Sequence, residues 1–422
     1  MSIIFTYNGV VIKEMKEMKE IKGIYTSAKV FTDVIDEKAI EQLQLLCNQK
    51  FAENAKIRVM PDAHAGVGCV IGFTANLGNL VIPNIVGVDI GCGMLTVELK
   101  KCNIDFEKLD KTIRQYIPSG KSVHSGRLIR FPDLQKLKCY RGLKDTKRLE
   151  RSIGTLGGGN HFIEIDIDQE ENYYLVIHTG SRNLGHQVAR YYQNLAYDLM
   201  VGKDELFAKQ NELINEYKKL GKKSEIQLAL KELRRDFVER GVDLPKELCY
   251  LSGEYRDMYL HDMKICQDYA TLNRQTIANI ILQHLFDMSL DQFNSFETIH
   301  NYIDHKENII RKGAVSAQLN ERILIPINMR DGSLICLGKG NFDWNQSAPH
   351  GAGRLYSRQK AKELFSLNSF KDQMQGIYST SINENTLDEC PMAYKSMEDI
   401  INYIGETAKI INVIRPVYNF KG

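Results

Sequence analysis

The 422-residue chain has a single tryptophan, no two cysteines in a CxxC arrangement and no apolar run near the ~18 residues that a membrane-spanning helix needs. Nine cysteines, at 47, 69, 92, 102, 139, 249, 266, 336 and 390, are scattered and odd in number. That excludes a disulfide framework and fits reduced thiols. The opening stretch Met1–Gly9 lacks the basic and apolar regions of a secretory leader, so a cytoplasmic location is expected. Net charge is also scarce: 55 Lys and Arg stand against 53 Asp and Glu, a formal +2. The total therefore neither demands nor excludes a nucleic-acid partner, and local charge has to decide.

What is present is a 43% hydrophobic content, enough for a large core in one big domain or two. Lys13–Ile21 repeats a three-residue motif three times and reads as an exposed turn of helix. Residues 37–55 carry apolar side chains at helical spacing, and from about 56 to 100 the texture changes to short β-type runs separated by glycine. Val81–Asp89 is one such strand-like run. The style returns at Phe162–Ile165, Tyr174–His178, Arg322–Pro326 and Ser333–Leu337. Residues 186–300 are helical and charged and read as an insertion, and two helical stretches precede the C-terminus. No solenoid period is present. The expected fold is α+β, one large domain over 1–422 with a mixed-sheet or sandwich core and a helical insertion at about 186–300.

The run Val81–Asp89 breaks into Ile90-Gly-Cys92-Gly, which places the Asp89 carboxylate three residues from the Cys92 thiol between glycines. Glycine lets backbone approach a ligand closely, so the pair reads as half of a metal site. Of ten histidines, four lie at strand ends beside glycine or a small polar residue: His161, His178, His300 and His350. One such histidine is most simply a core or surface residue. Four, with Asp89 and Cys92, point to a catalytic site for Zn²⁺, Fe²⁺, Co²⁺ or Mn²⁺, since mixed ligands leave room for an open position.

Gly157–Asn160 and Gly351–Arg354 offer backbone N–H groups of the kind that form anion nests, and Arg182 and Arg354 could clamp phosphate oxygens. A histidine beside a glycine run and an arginine suggests an imidazole aimed at phosphorus, and neutral imidazole is a good nucleophile near pH 7. Lys136–Arg151 holds seven basic residues against Asp145 and Glu150. It is either a solvated face or a track for an RNA backbone. Trp344 is read as a packing anchor.

Met60-Pro-Asp-Ala-His64, Val86–Met94, Gly154–Glu164, His178–Arg182, Arg311–Ala317, Pro349–Arg354 and Pro391–Lys395 together resemble the RtcB RNA-splicing ligases, in the family's order. The resemblance implies a GTP- and Mn²⁺-dependent ligase that joins an RNA 3′-phosphate or 2′,3′-cyclic phosphate to a 5′-hydroxyl. It implies His350 as the nucleophile carrying GMP, and Asp89, Cys92, His161, His178 and His300 as ligands of two Mn²⁺ ions with the thiolate between them. It assigns nucleotide contacts to Asn160, Glu164, Asn328, Met329, Ser333, Gly351, Ala352, Gly353, Tyr394 and Lys421. Asp62, Arg182 and Arg354 are phosphate or RNA-end candidates. RNA and GTP are the expected partners, no membrane is involved, and a monomer is the working expectation. The chain departs from the family at Arg330 and Asp331, where glycine-containing sequence is common. Two other readings stand beside the ligase: a metal-dependent phosphoesterase that opens cyclic phosphates, and a non-catalytic RNA-binding protein.

Overall fold

The computed structural model describes residues 5–7, 10–12 and 18–422. Most of the Met1–Gly9 start and residues 13–17 of the Lys13–Ile21 repeat lie outside the described residues. The chain runs through β1 (Phe5–Tyr7), β2 (Val10–Ile12), β3 (Lys19–Lys22), β4 (Ser27–Val30), α1 (Glu37–Cys47), β5 (Ile57–His64), β6 (Ile71–Ala75) and β7 (Gly93–Lys100). Then follow α2 (Phe106–Tyr116), α3 (Thr146–Glu150), β8 (Phe162–Ile167), β9 (Tyr173–Thr179), α4 (Arg182–Met200), α5 (Lys203–Lys219), α6 (Ile226–Arg235) and α7 (Gly253–Phe286). The last third holds β10 (Asn294–Ile299), β11 (Tyr302–Ile303), β12 (Ile310–Lys312), β13 (Ala314–Ser316), β14 (Arg322–Asn328), β15 (Gly332–Gly338) and β16 (Ser347–Pro349). It ends with α8 (Arg358–Leu364), α9 (Leu367–Gln373), α10 (Met397–Ile404) and β17 (Ala408–Lys421).

This is an α+β fold. One sheet of seven strands has the order β10-β7-β9-β8-β17-β15-β14, every pair antiparallel. A second, of six strands, has the order β11-β12-β6-β5-β4-β3, in which only β4 and β5 run parallel. Strand period sorts side chains between two faces. Leu95, Val97, Ile163, Ile165, Leu175 and Ile177 pack with Ile113 of α2 and Ile277, Ile281 and Leu282 of α7. The alternate residues Met94, Phe162, Val176, Leu324, Ile335 and Ile414 form a separate cluster on the opposite face. Glu164 and His178 share the parity of Phe162 and Val176, so the same alternation that builds the core carries them to that second face.

The helix α7 buries a continuous stripe: Tyr259, Asp262, Met263, Cys266, Tyr269, Ala270, Asn273, Arg274, Ile277, Ala278 and Ile281, the i, i+3, i+4 pattern of one helix face. Two polar members of that stripe tie the sheet loops together. Asn273 Oδ1 accepts from the N–H groups of Gly154 (2.7 Å) and Thr155 (3.1 Å), and its amide donates to the carbonyls of Thr155 (3.1 Å) and Gly180 (3.2 Å). Arg274 has no solvent exposure. It donates to the carbonyls of Gly91 and Thr179, each at 2.9 Å, and to Glu297 at 3.0 Å.

Some local expectations are corrected. The run Val81–Asp89 makes no strand: Val81 forms a single bridge to Leu251, and Pro83–Ile85 is a turn of 3₁₀ helix. Pro83 lacks the N–H that a ladder requires. The metal-type pair therefore lies just before a strand, β7, and not at the end of one. Lys19–Ile21 of the charged repeat is strand, pairing with β4, not helix. Three helices, not two, precede the C-terminus, and the final fourteen residues before Gly422 form β17. Between β9 and β10, α4 and α7 are built into the core, whereas α5 and α6 bury only Leu206, Ala229 and Leu230. Trp344 stacks on Phe31 with centroids 3.6 Å apart.

Arg274→Met would leave Glu297 and two loop carbonyls without their buried cation, a loss of about 3–5 kcal/mol for a broken buried pair. Urea denaturation should show that decrease; a change under about 0.5 kcal/mol would remove Arg274 from the support of the site.

Candidate active site

Four loops converge at one end of the seven-stranded sheet. Asp89 and Cys92 precede β7, His161 precedes β8, His178 is the penultimate residue of β9, and His300 follows β10. Pairing fixes their spacing: Gly93 of β7 lies opposite Thr179 of β9 and Ile299 of β10, and Phe162 lies opposite His178. The backbone N–H of His300 donates to the carbonyl of Cys92 at 2.8 Å. Gly180 permits the closest approach, since a Cβ there would sit 2.4 Å from Asp89 Oδ1.

The sulfur of Cys92 lies 3.4 Å from His178 Nε2 and 3.5 Å from His161 Nε2, and His161 Nε2 lies 3.1 Å from Asp89 Oδ2. Two groups of donor atoms result, Cys92 with His178 and His300, and Asp89 with Cys92 and His161, each within 4.8 Å of one another. Cys92 belongs to both. The second ring nitrogens are turned away: His161 Nδ1 donates to the carbonyl of Leu156 (2.9 Å) and His178 Nδ1 to that of Asn160 (3.2 Å). That leaves the Nε2 lone pairs facing the sulfur, the usual orientation of metal-binding imidazoles. Asp89 Oδ1 and His300 Nδ1 are buried without a hydrogen-bond partner among the described residues. Buried polar atoms are rarely left so unless something else fills the position, and the set fits a divalent cation.

Electrostatics agree with ligand chemistry. Burial, then the neighbouring histidines, holds His178 and His300 well below the ordinary imidazole range, so both stay neutral. Burial, then the Asp89 charge, pushes the Cys92 thiol well above its usual value. Burial also acts to raise Asp89, but its hydrogen bond and attraction to His161 outweigh that and keep it below the carboxylate range.

His350 sits beside this group, its ring centroid 4.8 Å from that of His300. Asp62 aligns it: the carboxylate accepts from His350 Nδ1 at 2.6 Å and from the backbone N–H groups of His350 (3.1 Å) and Gly351 (3.3 Å). Lys395 in turn donates to the carbonyls of Pro61 (2.8 Å) and Ala63 (3.3 Å), which flank Asp62.

A cavity of about 760 Å³ opens over these residues, within the range of small-molecule sites. Asp89, Cys92, His178, His300 and His350 line it; so do Asn160, Glu164, Asn328, Met329, Gly351, Ala352, Gly353, Arg354, Tyr394 and Lys421, among others that include Phe162, Glu389 and Asn419. His161 and Ser333 are not among the lining residues; Ser333 is fully buried in the sheet. The Asn328 side chain is engaged by the turn after it, bonding Asp331, and Arg330 pairs with Asp331 at 2.7 Å. Arg354 is held by Glu389 (3.2 Å), Tyr394 (3.1 Å) and the carbonyl of Asp388 (2.6 Å). Arg182 donates to Thr155 Oγ1 (3.1 Å) and the Gly120 carbonyl (3.0 Å). It also occupies the space a side chain at Gly157 would need, 1.8 Å from such a Cβ. That glycine serves close packing.

The sequence reading passed over Glu389, which accepts from Lys421 (2.7 Å) and Tyr394 (2.5 Å) and pairs with Arg354 and Arg358. Burial opposes its charge, but Lys421 and Arg358 hold its carboxyl far below the usual range. An acid two residues before the Pro391–Lys395 motif, in a segment otherwise free of strand or helix pattern, is the available signal. Asn273 and Arg274 were also missed; polar residues on an otherwise apolar helix stripe mark them.

A family model described as tRNA-splicing ligase RtcB matches residues 42–139 and 135–422. The chain is 29% identical to the RNA-splicing ligase RtcB of Escherichia coli strain K12, over 93% of this chain and 97% of that one. It is 25% identical to a tRNA-splicing ligase RtcB of Archaeoglobus fulgidus over 97% of this chain and 96% of its relative. A tRNA-splicing ligase RtcB of Nanoarchaeum equitans is 26% identical, over 86% and 87%.

Because the Cys92 sulfur is common to both donor groups, Cys92→Ala should abolish divalent-cation binding at both in a calorimetric titration with Mn²⁺, while His161→Ala and His300→Ala should each impair one group. Retention of one full equivalent by Cys92→Ala would contradict a shared sulfur.

Proposed function

The chain belongs to the RtcB family, and from that premise we propose that it is an RNA ligase acting in tRNA splicing or RNA repair, by way of GMP carried on His350. It joins a 3′-phosphate or 2′,3′-cyclic phosphate end to a 5′-hydroxyl end. The observation that carries this reading is the 2.6 Å hydrogen bond from His350 Nδ1 to Asp62. With its proton held at Nδ1, a neutral imidazole keeps its lone pair on Nε2, which becomes the nucleophile.

Attack of Nε2 on the α-phosphorus of GTP forms an N–P bond and breaks the α–β P–O bond, releasing pyrophosphate. Asp62 faces the positive charge that develops on the ring. An oxygen of the RNA 3′-phosphate then displaces the imidazole, which regains its neutral form, and takes the GMP. The 5′-hydroxyl attacks that activated 3′-phosphorus, loses its proton and expels GMP. A cyclic phosphate is first opened by water to the 3′-phosphate. The residues Asp89, Cys92, His161, His178 and His300 would hold two Mn²⁺ ions, whose charge, when bound, offsets that of the phosphates.

Glu164, in the cavity wall, is an acceptor suited to the N1–H and N2–H₂ donor edge of guanine, which adenine lacks. Asn160, Asn328, Met329, Ser333, Gly351, Ala352, Gly353, Tyr394 and Lys421 are assigned to the rest of the nucleotide, with Arg182 and Arg354 near phosphate. The exposed Lys136, Lys138, Arg141, Lys144 and Lys147 belong to a basic segment whose Arg148 donates to the carbonyl of Lys121, next to the Gly120 that Arg182 contacts; we assign it to the RNA backbone. We read 1–422 as one ligase domain, monomeric and cytoplasmic.

RNA carrying a cyclic phosphate and a 5′-hydroxyl should be joined only with GTP and Mn²⁺. His350→Ala should abolish joining, and Asp62→Asn should slow it about 100-fold or more, in the range of positioned proton-handling groups. Joining by His350→Ala, or opening of the cyclic end with no joining by the wild type, would overturn the ligase in favour of a phosphoesterase. Replacing Lys138 and Arg141 together with alanine should lower the salt slope of RNA binding by about 2; an unchanged slope would move the RNA track elsewhere.

A further inference from the structure

Asp166 lies two residues beyond Glu164 on β8, on the same face of the sheet, and has no solvent exposure. Both of its carboxyl oxygens are buried without a donor from any N–H or hydroxyl group among the described residues. Its neighbour along that face is Glu164, and the two carboxyl groups pair side chain to side chain. Glu164 has another partner, the amide of Asn419, and opens into the cavity, whereas Asp166 does not. Lys421, the cation that acts on Glu164, is engaged by Glu389 at 2.7 Å. Two carboxyl groups can bond each other only if one carries a proton. The more deeply buried and otherwise unpartnered of the two is Asp166.

We propose that Asp166 is a neutral carboxylic acid whose O–H donates to Glu164, holding Glu164 as a charged, fixed acceptor and so setting the preference for a nucleobase with an N–H donor edge. This rests on the reading of Glu164 as the base contact. Asp166 is a positioning residue: it touches no ligand and acts through its neighbour. Burial, and after it the Glu164 charge, holds Asp166 well above the carboxylate range. Burial acts to raise Glu164 as well, and the hydrogen bonds from Asp166 and Asn419 oppose it. A donor to an ionised acceptor is among the stronger hydrogen bonds, and the base that Glu164 receives sees the full acceptor only while that donor is in place.

The test competes GTP against inosine triphosphate, which lacks the 2-amino group, in labelling of the full-length protein. Asp166→Asn supplies an N–H donor of the same shape and should keep the wild-type preference. Asp166→Leu supplies none and should lose about 10-fold of it. A folded Asp166→Leu with wild-type preference, or an Asp166→Asn that loses as much as Asp166→Leu, would overturn the proposal. Should Asp166→Leu fail to fold, infrared spectra decide. The wild type at neutral pH should show the carbonyl stretch of a neutral carboxylic acid that is missing from Asp166→Asn; its absence from the wild type refutes the assignment. Glu164→Gln separates the two claims: if it keeps full GTP preference, the base contact itself is misassigned, whereas if it loses preference and Asp166→Leu does not, only the role of Asp166 falls.

Discussion

A guanidinium sealed from solvent holds the ligand-bearing loops in register. Arg274 reaches the carbonyls of Gly91 and Thr179 and the Glu297 carboxylate, so one rigid side chain spans the loop before β7, the end of β9 and the edge strand β10. Its neighbour Asn273 adds the loop before β8. A buried charge is costly unless paired and hydrogen-bonded, and here the bonds to the two carbonyls that offset that cost also fix the chain beside Cys92 and His178. The site is thereby mounted on the longest helix of the described chain, whose apolar stripe is itself anchored in the sheet.

With that frame in place, the site can gather groups that would otherwise be unfavourable neighbours. A thiol and three imidazoles are buried together, and desolvation keeps His178 and His300 neutral. Two polar atoms, Asp89 Oδ1 and His300 Nδ1, are left without a partner. Such orphaned atoms cost about 1–3 kcal/mol each when nothing satisfies them. The packing of the sheet supports that cost, and a ligand that meets these atoms would recover it. A second device, Asp62 braced by Lys395, sets the tautomer of His350 in the same cavity. Positioning of lone pairs, more than strong acid–base chemistry, is what this architecture supplies.

Much of this was legible in the sequence, and the limits have physical causes. His161, His178, His300 and His350 stand out because a strand end beside small residues is where a side chain can leave the sheet and meet its counterparts from other strands, and the fold brings the four together. Asp89 and Cys92 were found through their glycines, yet the run before them was misread, because an apolar stretch containing Pro83 cannot complete a ladder. Asn273, Arg274 and Glu389 were missed, since each acts through partners more than 20 residues away in sequence, and no local pattern encodes such pairings. The same holds for Arg354. Its position beside a glycine run suggested a free phosphate clamp, and only the folded chain reveals that Glu389, Tyr394 and Asp388 engage its donors.

In the proposed reaction an imidazole aligned by Asp62 becomes the covalent carrier of a nucleotide. Peptide mapping by mass spectrometry of the full-length protein after incubation with GTP and Mn²⁺, kept at alkaline pH, tests it most directly. The account predicts one GMP on the peptide that contains His350, lost on mild acidification as a phosphorus–nitrogen bond is. An adduct on Lys421 or another residue, or no adduct under conditions that support RNA joining, would contradict it.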